Sequence, residues 1–445
     1  MKKKIVSVSL ALVFVMAVLA GCAGKSGESG SGPGSGSEAG LTENGDSVSE
    51  DGLGHIGNGE DITLKMLATQ EDQEVLKEMA DAFARKYSED VNLTVELEAC
   101  PQKDINKKIL TNLELAADLY MFPNDDLRFL AESGALQEVS LNTDKIIEEN
   151  GGVDTSAIQA ASYDSKLSAY PSAYNSGLVL YYNQKYFAED DVKRLDDMMD
   201  IANENGKKVS INFTSGMYLW SFFGGAGFRL ALNDDGSNMC DMNHTADTGV
   251  KGVDVLQTMV NICSNNGFSS LTEKEFIKGV QNGSVIAGIG ELSDAEVIKQ
   301  AWKDDYAAAK LPSYKLNGTD VQMTSFAGYQ FIGINPYSEN VGWAMRFAEW
   351  VTNEKNQLAR YQSHGAVPTN TAAHESDLIK EDLTARAIAE QGKFSLADGI
   401  QSDYFWKPMA SLGGFCIEGN AGEEELQAFL DDTVEKITKP VQQEK

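Results

Sequence analysis

The 445-residue sequence is poor in the residues that usually carry covalent or metal chemistry. It has four histidines, and no two of them stand four apart, so no helix offers a two-histidine metal face. Five cysteines occur without a CxxC pair or a Cys/His cluster, which argues against a zinc site. A GxSxG elbow and a GxxxxGK[ST] phosphate loop are both missing, as is any short-period repeat. Gly224-Gly225-Ala226-Gly227 lacks the third glycine of a dinucleotide fingerprint and reads as a tight turn. With seven arginines the chain is also badly supplied for phosphate or carboxylate recognition. Positive charge as a whole is scarce: 37 basic residues face 67 acidic ones, a net charge of −30. Such a surface repels nucleic acid and anionic lipid and favours a neutral or cationic ligand.

What is present begins with a leader. Lys2, Lys3 and Lys4 precede an apolar stretch from Ile5 to Leu19. That stretch is shorter than the ~20 residues of a membrane-spanning helix. It ends in Leu19-Ala20-Gly21-Cys22, so residues 1–21 read as a secretory signal peptide. The last four residues resemble a bacterial lipobox, which implies acylation of Cys22 and a lipid anchor on the extracellular face of the cell membrane. Residues 22–61 follow as a flexible linker. Twelve glycines lie between positions 23 and 61, mixed with Ser, Glu and Asp. Export permits disulfides among Cys100, Cys240, Cys263 and Cys416, and their spacing fixes no pairing.

From Ile62 the pattern is α/β. Ile62, Leu64 and Met66 alternate as a strand. Val75, Leu76, Met79, Phe83 and Tyr87 recur at helical spacing, and Val91, Leu93, Val95 and Leu97 alternate again. A βαβ unit follows, with further helices expected at 104–115 and, as one long element, at 339–363. Thr272-x-x-Glu275 and Ser293-x-x-Glu296 both read as capping boxes.

Several stretches resemble the extracellular solute-binding proteins of bacterial ABC importers, in their maltose/maltodextrin-binding branch. They are Ala117-Asp118-Leu119-Tyr120-Met121-Phe122-Pro123-Asn124-Asp125, Ala169-Tyr170-Pro171 with Leu180-Tyr181-Tyr182-Asn183, Phe326-Ala327-Gly328-Tyr329, Phe347-Ala348-Glu349-Trp350 and Phe405-Trp406. The resemblance spans about 62–440. It implies a two-lobed periplasmic-binding-protein-like fold with the ligand cleft between the lobes. Lobe 1 would take 62–172 plus 332–372, and lobe 2 would take 173–331 plus 373–440. Hinge closure around an oligosaccharide, a maltodextrin by this branch of the family, would precede docking on the permease subunits. No catalytic residue, cofactor, metal or nucleic-acid partner is implied, and a monomer is expected.

Sugar hydroxyls call for amide and carboxylate groups, and the C–H faces of pyranose rings call for flat aromatic surface. By match to the family, Trp406 would stack under the sugar and Asp125 would bond its hydroxyls. Trp220 matches a lobe-2 aromatic cluster. Asn175 stands where the family often has an acid. Gln70 and Glu71 follow the first strand, Glu291 follows Gly288-Ile289-Gly290, and Tyr329 lies on the return crossover. Phe122, like Leu292, stands where relatives often have tryptophan. A different solute receptor or a lipid-anchored glycoside hydrolase are the alternatives. The latter needs two carboxylates ~5–10 Å apart across the bond.

Overall fold

The computed structural model describes residues 59–233, 235–397, 404–419 and 422–439. The signal peptide, Cys22 and nearly all of the linker therefore lie outside the described residues.

The first strand β1 (Glu60–Ala68) pairs in parallel with β2 (Val91–Ala99), from Glu60 against Val91 to Ala68 against Ala99. Pairing at Glu60 and Asp61 moves the start of the folded body two residues earlier than the composition suggests. Between these strands, helix α1 (Gln73–Lys86) buries Val75, Leu76, Met79, Ala80 and Phe83, the stripe its 3.6-residue period specifies. Then come β3 (Leu119–Pro123), the 14-residue β4 (Tyr170–Asn183), β5 (Lys208–Ser210), β6 (Phe268–Ser269), β7 (Val285–Glu291), β8 (Tyr306–Ala309), β9 (Ser325–Ile334) and β10 (Ser395–Ala397). These form one ten-stranded sheet in the order β6-β5-β7-β4-β9-β3-β1-β2, with β8 on β4 and β10 on β9.

β4 and β9 run antiparallel through the middle of this sheet, and both are long enough to serve two hydrophobic cores. One core joins β1, β2, β3 and α1 to Tyr170, to Ala327–Ile334 and to residues of 343–351. A second gathers Leu178, Leu180 and Tyr182, the helices of the middle of the chain, Phe326 and residues of 405–437, while Val179 and Tyr181 on the other face of β4 pack into a third with Phe276, Ile298 and Ile388. Two lobes therefore share a pair of crossing strands. The sheet is mixed because the chain returns through its centre, where parallel crossover connections give way to antiparallel pairs.

Two helices stand where the sequence suggested one long one. Val341–Thr352 ends at Asn353, whose extended backbone (ψ 162°) breaks the run, and Glu354–His364 restarts from it. Asn353 caps this second helix by accepting the N–H of Asn356. The stretch 104–115 is likewise divided: its α-helical part is Ile105–Thr111. Thr272 and Glu275 make the expected capping box, but the second box is shifted. Glu291, at the end of β7, takes the cap position with Asp294, not Ser293 with Glu296.

Candidate functional site

The crossing strands floor a pocket of about 350 Å³ with walls from both lobes. Lobe 1 contributes Glu71 and Asp72 from the loop after β1, and Gln102. β4 contributes Tyr174, Asn175 and Ser176. The far wall is Glu291, Leu292 and Ser293, where β7 gives way to its helix. The carboxyl ends of β1 and β7 lead straight into this lining, through Thr69–Asp72 and Glu291–Ser293, the usual placing of ligands beside the carboxyl ends of strands. Asn175 and Glu71 are exposed, and Glu291 is half-buried, so three of the expected contact residues converge here. Gln70, exposed beside Glu71, faces a neighbouring shallow hollow over α1 and β2 instead.

A second pocket, of about 530 Å³, lies between Asn124, Asp125, Arg128 and Tyr163 of lobe 1 and Leu230–Leu232 of lobe 2, bordered by Leu396 and Ala397. Asp125 is exposed in a one-turn 3₁₀ segment after β3. Its neighbour Asn124 accepts the Tyr329 N–H on β9 at 2.7 Å, which holds the turn against the crossing strand.

Trp406 opens the helix Trp406–Glu418 and is half-buried in lobe 2. Its ring stands edge-on to Phe405 (5.1 Å between centroids) and Phe326 (6.0 Å). Part of the indole stays accessible, as a stacking role requires, although the ring borders neither pocket.

Three expected contact residues are corrected by burial. Trp220 has 0 % exposure and packs on Phe223 and Phe405 inside the lobe-2 core. Tyr329 also has 0 % exposure. Its hydroxyl meets Ser156 Oγ at 2.5 Å, and burial pushes the phenol well above its usual range. Phe122 is equally sealed, against Phe331 and Tyr120. A ring without accessible surface cannot stack on a sugar, so in this structure these three are scaffold.

The pocket is electrically lopsided. Burial raises the Glu291 carboxyl above its usual range, and Glu273 adds to the effect. Burial also pushes Asp294 up to about 6, against the stabilising N–H of Glu291 at 2.9 Å. At the opposite wall sits a group the sequence did not reveal. Arg360, 1 % exposed, donates to Asp72 at 2.8 Å, and His364 Nε2 lies 3.2 Å from the same carboxylate oxygen. Burial alone would raise Asp72, but the hydrogen bond from His364 and the charge of Arg360 hold it far below the carboxylate range. Asp72 and Arg360 are 288 positions apart, and no local spacing links them. The one sequence clue is an arginine in a helix with little reason to bury it.

Comparison with known proteins agrees with this geometry. A galactooligosaccharide-binding protein of Bacillus subtilis is 26 % identical over 62 % of this chain and 66 % of its own length. The maltodextrin-binding protein MdxE of the same organism is 22 % identical over 85 % of this chain and 91 % of its own. Among solved structures, an unliganded maltodextrin-binding protein from L. casei superposes with a TM-score of 0.69 at 23 % identity, over 85 % of this chain and 99 % of that one. The Listeria monocytogenes maltose-binding protein in complex with maltose also gives 0.69, at 20 % identity over 86 % and 98 %. These likenesses carry the two-lobed fold. Residues 78–435 match the model of the bacterial extracellular solute-binding proteins, and a match over that much of the chain, with a cleft floored by two crossing strands, places this protein in that extracellular family.

Proposed function

We propose that the chain captures an uncharged oligosaccharide, a maltodextrin, in the cleft between its lobes and hands it unaltered to the membrane subunits of an ABC importer. The observation that carries this reading is the convergence of Glu71, Asn175 and Glu291 on one pocket whose walls belong to different lobes. Amide and carboxylate groups can each engage sugar hydroxyls, and only a closed cleft brings both walls onto one ligand. Sugar binding therefore favours closure by its differential contacts. The lobes that move are 62–172 plus 332–372 and 173–331 plus 373–440. Acylation of Cys22 anchors the chain to the outer face of the membrane, and the glycine-rich linker spaces the body from it. The names of the relatives support a sugar over a peptide. A galactooligosaccharide is the second reading, favoured by the relative of 26 % identity.

The test is a thermal-shift and calorimetric panel of maltooligosaccharides, galactooligosaccharides, amino acids, peptides and polyamines. A ligand at 100 times its dissociation constant adds about 2.7 kcal/mol of stability. Maltooligosaccharides are expected to raise the midpoint and to be recovered intact. Free reducing sugar accumulating in the mixture would convert the reading to a hydrolase. A shift with peptides or polyamines alone would refute the sugar.

A further inference from the structure

Asp72 breaks a local rule. It occupies the position before α1 where an aspartate ordinarily accepts an N–H of the first turn, yet its side chain makes no capping bond. One carboxylate oxygen takes the Thr69 hydroxyl at 2.8 Å; the other takes Arg360 and His364. The departure from capping therefore serves a different contact.

Arg360 distributes its fork over three elements. Nε donates to Asp72, Nη1 to the carbonyl of Ser172 on β4 at 3.3 Å, and Nη2 to Oε1 of Gln330 on β9. One buried cation thus joins the loop Thr69–Asp72 to both crossing strands. That loop carries Gln70 and Glu71. Its other ties are local: the Gln73 amide donates to Thr69 O at 3.2 Å and Ala68 O at 3.4 Å, the Gln73 N–H to Gln70 O at 3.4 Å, and the Leu76 N–H to Asp72 O at 2.9 Å. A guanidinium is suited to this because its donors lie in one rigid plane; a lysine ammonium is a point charge and cannot span all three acceptors.

We propose that Arg360 is a positioning residue for ligand capture: it fixes the Gln70–Glu71 loop against the two strands that cross between the lobes, so that Glu71 meets the ligand in one geometry. Arg360 itself acts through Asp72. The inference rests on the sugar reading above, in which Glu71 is a contact.

The experiment is a double-mutant cycle on the full chain, read by calorimetry with maltotetraose. Glu71→Gln, Arg360→Met and the pair are compared with wild type. A variant that leaves the buried Asp72 with only Thr69 and His364 beside it is at risk of not folding. Asp72→Asn/Arg360→Met, with and without Glu71→Gln, therefore repeats the cycle without a stranded charge. Circular dichroism and the melting midpoint establish folding in each case. With Arg360 gone, affinity is expected to fall about tenfold or more, and Glu71→Gln is expected to lose most of its effect. Arg360→Lys, which keeps the charge without the fork, should recover only part of the affinity. Two results overturn the proposal while leaving the sugar reading intact: folded Arg360 variants that bind within about twofold of wild type, or a Glu71→Gln effect that is unchanged by loss of Arg360. A wild-type chain that gives no heat with maltotetraose or any other sugar overturns both.

Discussion

Asn124 ties the end of β3 to the crossing strand β9: its Oδ1 accepts the Tyr329 N–H at 2.7 Å, and its amide nitrogen lies 3.2 Å from Asp125 Oδ1. The bond is buried and spans 205 positions. Asn124→Ala strands the Tyr329 N–H without a partner. Urea unfolding should show a loss of about 1–3 kcal/mol. Asp125, deprived of its neighbour, should also bind sugar more weakly, which calorimetry reads. Unchanged stability would show that the bond is not formed in solution.

The two tryptophans first expected to line the site should separate cleanly. Trp220 is core, so Trp220→Ala should cost about 3–5 kcal/mol in unfolding free energy. Trp220→Phe should largely restore stability and leave sugar affinity near wild type. Trp406, half-buried beside Phe326, should behave in the opposite way. Trp406→Ala should remove most of the sugar-induced thermal shift at a smaller cost in stability. An unchanged shift would remove Trp406 from the site.

The helix that carries Trp406 packs so closely that Gly413 faces backbone. A Cβ there would lie 1.5 Å from the Phe213 carbonyl oxygen, which cannot swing aside as a side chain could. Gly413→Ala must therefore push the helix outward. We expect a loss of about 1–3 kcal/mol, typical of overpacking, measured by denaturant unfolding. Sugar affinity should fall with it, because Trp406 moves with the helix.

Asp294 gives a pH prediction of definite sign. Its folded value, about 6, lies above the ~3.9 of an unfolded aspartate, so between these values the folded chain holds more proton. Stability from this group is full below about pH 4 and is lost as pH rises through about 6. Asp294→Asn can still accept the Glu291 N–H, so it should raise the melting midpoint at pH 8 and change it little at pH 4. Asp72 has the opposite sign: its contribution is present above the unfolded aspartate value and fades as pH falls below it. An Asp294→Asn curve parallel to wild type at every pH would contradict the assignment.

The βαβ opening was legible because one period governs each element: Leu64 and Met66 alternate, and Val75, Leu76, Met79 and Phe83 recur at helical spacing. The break at Asn353 was not, since an asparagine inside an apolar-periodic run looks like a tolerated helix residue until its cap bond is seen. Glu71 in the loop after β1, Asn175 within β4 and Glu291 at the end of β7 were named by family pattern, and the structure sets all three on one pocket. Phe122, Trp220 and Tyr329 could not be placed this way, because a flat ring at helix or strand spacing looks the same whether it faces a cleft or a core. Asp72 and Arg360 stayed hidden for a different reason. Their partnership exists only after the chain has returned to lobe 1, and nothing near either residue records it.

The most direct test of the central claim is small-angle X-ray scattering of the full chain with and without saturating maltotetraose. One sugar drawing two lobes together predicts a smaller radius of gyration in its presence, reversed on dialysis and weakened in an Asn175→Ala variant. A radius unchanged by a sugar that calorimetry shows to be bound, or one reduced only by a peptide or polyamine, would contradict capture of an oligosaccharide between the lobes.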